Sequence, residues 1–329
     1  MGRIILAGDI GGTKTHLALF EEGEKRKWMV DAKFKSAEHE TLRSIVKEFL
    51  AGHPECDVKR ACFGIAGPIQ DRKCKATNLP WIVDADLIEK EANISHVSLI
   101  NDLEANAYGI NCLEKKEFFS LNEGKKHTGN AALISAGTGL GEAGFYWDGE
   151  KHHPFACEGG HCSFSPENDL EVQLWSYLRK QYDHISFERI LSGPGLNSIY
   201  RFLIDEGIEK EEEQVKKAME NTDPPHVITE MGMKNVSASC ARALDLFVAI
   251  YGGEAANLAL KMFAVGGLYI GGGIAPKMLN KLSEGDFMKR FIQKGRFTSL
   301  LLGIPVKVVL NENTALLGAA HYAQENSGT

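Results

Sequence analysis

Positive charge is the first thing this sequence is short of. Lys and Arg number 37 against 44 Asp and Glu, a formal charge of −7. A net acidic chain has no general attraction for nucleic acid, so any anion it binds must be held locally. Paired cysteines are also lacking: there are seven, an odd number, with no CxxC anywhere. That excludes a disulfide framework and points to reduced thiols. Cys157 and Cys162 flank His161, but tetrahedral zinc draws on closer cysteine pairs, so packing is their expected role. No apolar run approaches the roughly 20 residues of a membrane span, and no membrane is expected as a partner. The N-terminus lacks a basic stretch followed by a long apolar run, so no secretory signal is expected. A cytoplasmic location is the expectation, with neither a targeting segment nor a DNA-binding domain ahead of the first motif.

What the chain does hold is a 43% apolar composition over 329 residues, enough for two domains and more than one core. The stretch Leu6–Phe20, LAGDIGGTKTHLALF, organises the rest. It reads as a strand running into Asp9, a turn at Gly11 and Gly12, and a second strand, His16–Phe20. Two glycines let the backbone bend tightly and leave N–H groups uncovered. With the hydroxyls of Thr13 and Thr15 they form a candidate phosphate cradle. Asp9 sets a carboxylate beside it, where a hydrated Mg²⁺ would need one. A P-loop is excluded because Thr13, not Gly, precedes Lys14. A dinucleotide fingerprint is excluded because a strand, not a helix, follows the glycines. The alternative is an ordinary hairpin turn.

Further along, Glu38–Gly52 has helical periodicity, with Leu42, Ile45, Val46, Phe49 and Leu50 on one face. Arg60–Gly67 reads as a buried strand ended by Gly67-Pro68. The pattern predicts a loop at Asn78–Trp81, a helix at Asp84–Ala92, a strand at His96–Ile100 and a helix from Leu103 to about Tyr108. This order suggests a mixed sheet covered by helices. Lys115–Gly129 is polar and reads as a passage to a second domain. Strands are expected at Asn130–Ser135 and Glu142–Trp147 around the glycine turn Ala136–Gly141. Helices are expected at Leu170–Tyr182, Gly195–Ile204 and Ile208–Met219, the last ended by Asp223-Pro224-Pro225. Ser237–Phe263 reads as a helix interrupted at Gly252-Gly253. Leu268–Ile270 and Val306–Leu310 read as strands and Asn313–Gln324 as the last helix.

Several motifs offer chemistry. Ala136-Gly137-Thr138-Gly139-Leu140-Gly141 is a second glycine turn, and two such loops would hold a polyphosphate from opposite sides. Gly271-Gly272-Gly273-Ile274-Ala275-Pro276 follows an apolar strand and would let a flat ring approach backbone, or would simply supply a turn with positive φ. Asn101-Asp102 ends a strand before a helix. Asp102 there is either a helix N-cap or a general base, since the carboxyl ends of strands are where α/β sheets bind ligands. Glu158-Gly159-Gly160-His161 sets an acid and an imidazole three residues apart, with Glu188 following. Carboxylate oxygens accept well from vicinal sugar hydroxyls.

LAGDIGGTKTHLALF, INDLEANAYGI, SAGTGLGEAGF, EGGHCSF, ERILSGPGL and GGGIAP occur in that order over nearly the whole chain. Together they resemble the bacterial glucokinase family of the hexokinase–actin–heat-shock ATPase superfamily. The related repressor/sugar-kinase group shares the first motif, but its cysteine-rich zinc signature and DNA-binding domain are missing here. The resemblance implies an α/β, two-domain ribonuclease H-like or actin-like ATPase fold with an interdomain cleft. The small domain would take residues 1–111 and 311–329, and the large domain 112–310. It implies a glucokinase that transfers the γ-phosphoryl group of ATP to the 6-hydroxyl of glucose, the first step of glycolysis. Asp102 matches the catalytic base, and Asn101, Glu158, His161, Glu188 and Asn78 match sugar-binding positions. Gly8, Asp9, Ile10, Gly11, Gly12 and Thr13 match the first phosphate loop. Gly137, Thr138 and Gly139 match the second, and Gly271, Gly272 and Gly273 the adenosine motif. ATP and Mg²⁺ are the implied cofactors, with Asp9 holding Mg²⁺ through water, and a homodimer is the family expectation. Family members often have Asn where Lys14 stands. The competing readings are a kinase for another hexose such as mannose or an amino sugar, a sugar sensor without catalysis, and an ATPase acting on proteins.

Overall fold

Ile4–Ile10 (β1) is apolar on both faces, and a strand of that kind lies inside a sheet covered on both sides. In the computed structural model, which describes residues 3–77, 79–125 and 127–326, β1 is the central strand of five. It pairs antiparallel with β2 (Lys14–Glu21) and parallel with β4 (Val58–Ile65). β3 (Trp28–Lys35) and β8 (His96–Asn101) form the two edges, giving the order β3-β2-β1-β4-β8. One face packs on the helices Leu42–Ala51 and Ala85–Ala92, the other on the C-terminal helix Thr314–Glu325. Three short strands, β5 (Ile69–Gln70), β6 (Lys73–Lys75) and β7 (Ile82–Asp84), make a separate antiparallel sheet.

A second sheet has six strands, ordered β12-β11-β10-β13-β14-β9. They are β9 (Phe118–Asn122), β10 (Ala131–Ala136), β11 (Leu140–Trp147), β12 (His152–Cys157), β13 (Gly267–Gly271) and β14 (Val306–Val309). β10 to β11 is an antiparallel hairpin, while β10, β13 and β14 run parallel. Its core is centred on the helix Ala238–Met262. The chain divides into two compact units. The first comprises Met1–Lys115, Pro154–Ala156 and Asn311–Thr329, and the second Lys116–His153 and Cys157–Leu310.

Several sequence expectations need correction. The helix Ala238–Met262 runs unbroken through Gly252 and Gly253. A Cβ on Gly252 would overlap the carbonyl of Phe287, so this glycine admits the neighbouring helix rather than ending its own. By length and composition that helix is apolar enough to cross a membrane, but it is mostly buried within the protein. The passage after Lys115 contains β9, which pairs antiparallel with β14. Pro224 and Pro225 do not end a helix but open one, Pro224–Met233. Proline suits a first turn, whose N–H groups have no partner in the helix. The helix before it is only Glu213–Met219, and its Val215 is fully buried. β3 and β12 went unread. Strand β3 alternates half-buried and exposed along WMVDAKFK, the pattern of an edge strand.

Candidate active site

In the first unit, two parallel pairings bring the chemistry to one sheet edge. β1 aligns Asp9 with Gly64 of β4, and β4 aligns Gly64 with Ile100 of β8. Asp9 and Asn101-Asp102 therefore stand at the carboxyl ends of the two parallel strands that flank β4. The helix after β8 is Asp102–Ile110, and its N-cap is Asn101, whose Oδ1 accepts from Leu103 N at 2.9 Å. Asp102 is thus the first helical residue and not the cap. Its charge gains from the positive end of the helix dipole. The Asn101 amide nitrogen points to Gly67 O at 3.5 Å. Gly67 needs glycine, with φ +145° and Lys75 O only 2.7 Å from where a Cβ would sit.

The first glycine turn closes through Gly11 N to Lys14 O at 3.0 Å. Gly12 is half-buried and Thr13 exposed. Thr15 departs from expectation. Its hydroxyl is fully buried 3.0 Å from Ser36 Oγ, which in turn donates to Gly11 O at 2.8 Å. Thr15 therefore braces the loop from behind and offers nothing to a phosphate. Gly8 lies inside β1, where a Cβ would come 2.5 Å from Phe63 and 2.8 Å from Leu17. Its glycine serves packing. Burial, then the Asp102 carboxylate, raise the Asp9 carboxyl to about 6, while Lys14 pulls the other way. Asp9 and Asp102 set two carboxylates close enough to repel, a pairing that suits a dication, since Mg²⁺ takes one or two carboxylates plus phosphate oxygens and water. Among the described residues no three His, Cys, Asp or Glu side chains gather as a metal-binding group, so a protein-only metal cage is not offered.

In the second unit the three sugar-binding candidates come together. His161 Nε2 lies 4.0 Å from Glu158 Oε2, and His161 Nδ1 4.0 Å from Glu188 Oε1. Glu158 and His161 are exposed and Glu188 is half-buried. The other oxygen of Glu188 accepts from Leu140 N at 3.0 Å. The sugar candidates are therefore tied to the second glycine turn. Gly139 permits this approach, since a Cβ there would overlap the Glu188 carboxylate. The turn itself closes through Gly137 N to Gly139 O at 2.8 Å, and Gly193 N donates to Gly137 O at 2.9 Å. Ser192 Oγ donates to Glu188 O and caps the helix Gly193–Asp205. One short segment, Glu188–Gly193, so links the Glu158–His161 cluster, the second glycine turn and the helix.

β10 and β13 pair in register, Ser135 with Gly271, which sets the second glycine turn beside Gly271–Gly273. Gly272 takes φ +83°, and a Cβ would overlap Ala136 O. Between these loops lies a cleft of about 760 Å³, lined by Gly137, Thr138, Pro194, Asn197, Pro225, His226, Gly273 and Lys277 among others. Sequence reasoning missed Asn197, Asp223, His226 and Lys277. Asp223-Pro224-Pro225 was visible as a stop, but nothing in the pattern showed it folding back to a cleft wall. Asn78 lies outside the described residues.

Glycine turns joined to a cluster of carboxylates and an imidazole are the arrangement a sugar kinase would need. Comparison with known proteins agrees. The profile of the glucokinase family matches residues 6–326. A glucokinase of Nostoc sp. is 40% identical over 339 aligned positions, covering 96% of this chain and 98% of its own. The crystal structure of a glucokinase from an Antarctic psychrotroph superposes with a TM-score of 0.85 at 30% identity, covering 99% of this chain and 100% of that one. A ROK family glucokinase from Streptomyces griseus, solved in complex with glucose and AMPPNP, shares the fold at TM-score 0.66 and 20% identity, over 98% of this chain and 99% of its own. The chain belongs to the glucokinase family, with an α/β fold built on mixed sheets, and is an ATP-dependent sugar kinase.

Proposed function

We propose that the chain transfers the γ-phosphoryl group of ATP to the 6-hydroxyl of glucose, with Asp102 as the group that takes the hydroxyl proton. One observation carries the reading. Glu188 of the sugar cluster bonds the Leu140 amide of the phosphate loop at 3.0 Å, so a hydroxyl held by the cluster lies next to the phosphate that the loop holds. The S. griseus structure with glucose and AMPPNP supports both ligands in this fold.

The chain carries two domains of the actin-like kind, residues 1–111 with 311–329 and residues 112–310; the division into compact units at Lys115 and Lys116 supports these bounds. Glu158, His161 and Glu188 accept hydrogen bonds from sugar hydroxyls, with Asn101 and Asn78 as further sugar contacts. Gly11, Gly12 and Thr13 bind the phosphates, as do Gly137–Gly139, and Gly271–Gly273 backs the adenosine. Mg²⁺, held through water by Asp9, would neutralise charge on the phosphates. Asp102 is a weak base, which suffices because phosphoryl transfer depends chiefly on positioning and charge neutralisation. Closure driven by sugar hydroxyls excludes water, which would otherwise accept the phosphoryl group. A panel of hexoses scored by kcat/KM with ATP tests the assignment. Glucose should lead, and a clear preference for mannose or an amino sugar would overturn the substrate.

A further inference from the structure

Beneath the Glu158–His161 turn lies an acid pair that phosphoryl transfer does not itself require. Glu142, on β11, is 1% exposed and Glu254, on the long helix, is 0% exposed. Their carboxyls interact within the buried space between β11 and the helix. Burial penalises a charge on each and two charges would repel, so one of the pair is neutral. Glu254 already accepts from Asn257 Nδ2 at 2.8 Å and from Lys261 Nζ at 3.4 Å. Those donors make Glu254 the ionised partner and Glu142 the acid. Glu142 Oε2 fills the space under Gly159, where a Cβ would overlap it, and a Cβ on Gly160 would overlap Leu140 O. The double glycine is thus seated directly on β11.

We propose that Glu142 is a positioning residue for the sugar: packed as the neutral acid beside Glu254, it forms the floor under Gly159, next to the Leu140 carbonyl under Gly160, and so sets where Glu158 and His161 stand. This rests on the reading of Glu158 and His161 as sugar ligands. The groups facing Glu142 are Glu254, Tyr251 and Lys261 from the helix and Cys157 from the end of β12. Burial first, then Glu254, push the Glu142 carboxyl up to about 8, against Lys261. Its Oε1 has no hydrogen-bond partner, so a charge on Glu142 would be buried without a donor and would repel the Glu254 carboxylate. A carboxyl raised in the folded state adds stability that is fully present below its ordinary value near 4.5 and is lost as pH climbs to about 8. Above that the floor carries charge and the turn loosens.

The test compares glucose and ATP kinetics of the wild-type, Glu142→Gln, Glu142→Ala and Glu158→Ala proteins. Glutamine fills the same space without titrating. Wild-type KM for glucose should rise up to about tenfold between about pH 7 and 9, since one unit above its pKa about a tenth of the acid remains. Glu142→Gln should match wild type at the lower pH and stay flat. Glu142→Ala should raise KM for glucose at neutral pH while KM for ATP holds. If Glu142→Ala does not fold, Glu142→Gln still decides. Its melting temperature should equal wild type near pH 5 and exceed it near pH 9. A wild-type KM that is flat with pH, or a Glu142→Gln profile that tracks wild type, overturns the positioning role. If Glu158→Ala leaves KM for glucose unchanged, the sugar-site reading itself fails, and the two failures are told apart.

Discussion

Asn101 and Asp102 divide two tasks that the sequence left to one residue. Read before a helix, Asp102 is either its N-cap or a general base. The structure gives the cap to Asn101, whose Oδ1 takes the Leu103 amide, and leaves Asp102 one position inside, at the edge where Asp9 also ends. Hydroxyl-rich turns hid a similar division. Thr13 is exposed and Thr15 buried against Ser36, because Thr13 stands in the turn ahead of β2 while Thr15 lies inside the strand. Thr15→Val should cost about 1 kcal/mol of stability, the net worth of one buried hydrogen bond, read from denaturant unfolding, with KM for ATP little changed. Glu188 has a double attachment, to His161 on one side and the Leu140 amide on the other. Glu188→Ala should therefore lower kcat and raise KM for glucose together, whereas Glu158→Ala should act mainly on KM. Asp9→Asn should raise the Mg²⁺ concentration that supports half-maximal turnover, and an unchanged Mg²⁺ titration would remove Asp9 from the metal.

At the scale of elements, periodicity revealed strands with one strong pattern and missed those defined by pairing. β1, β2, β10 and β11 were legible because apolar runs flanked glycine turns. β9 was not, because Phe118–Asn122 sits in a polar segment and gains its conformation from β14. Glycine misled in the long helix, where it marks close approach. The same use recurs where the helices Asp102–Ile110 and Thr314–Glu325 cross. A Cβ on Gly109 would overlap Thr314 O, and one on Gly318 would overlap Ala105 O. Gly318→Ala should force these backbones apart and cost about 1–3 kcal/mol or more, seen as a lower melting temperature. Since Asp102 begins one of the two helices, kcat should fall as well.

For the whole molecule, the six motifs were legible in order, and they fall two in the first compact unit and four in the second. Which residues brace them was not legible. Glu142, Ser36 and Ser192 act through contacts between distant segments, and no spacing along the chain announces them. If the halves close around the sugar, X-ray scattering should show a smaller radius of gyration on adding glucose, and ATP hydrolysis without sugar should be slow. The most direct test of the account is turnover of an Asp102→Ala protein, measured with ATP and glucose alongside glucose binding by calorimetry. General-base assistance is typically worth about 10²–10⁴-fold. The account predicts a fall in kcat of at least that range with glucose still bound. Near-normal turnover in a folded Asp102→Ala protein would contradict it.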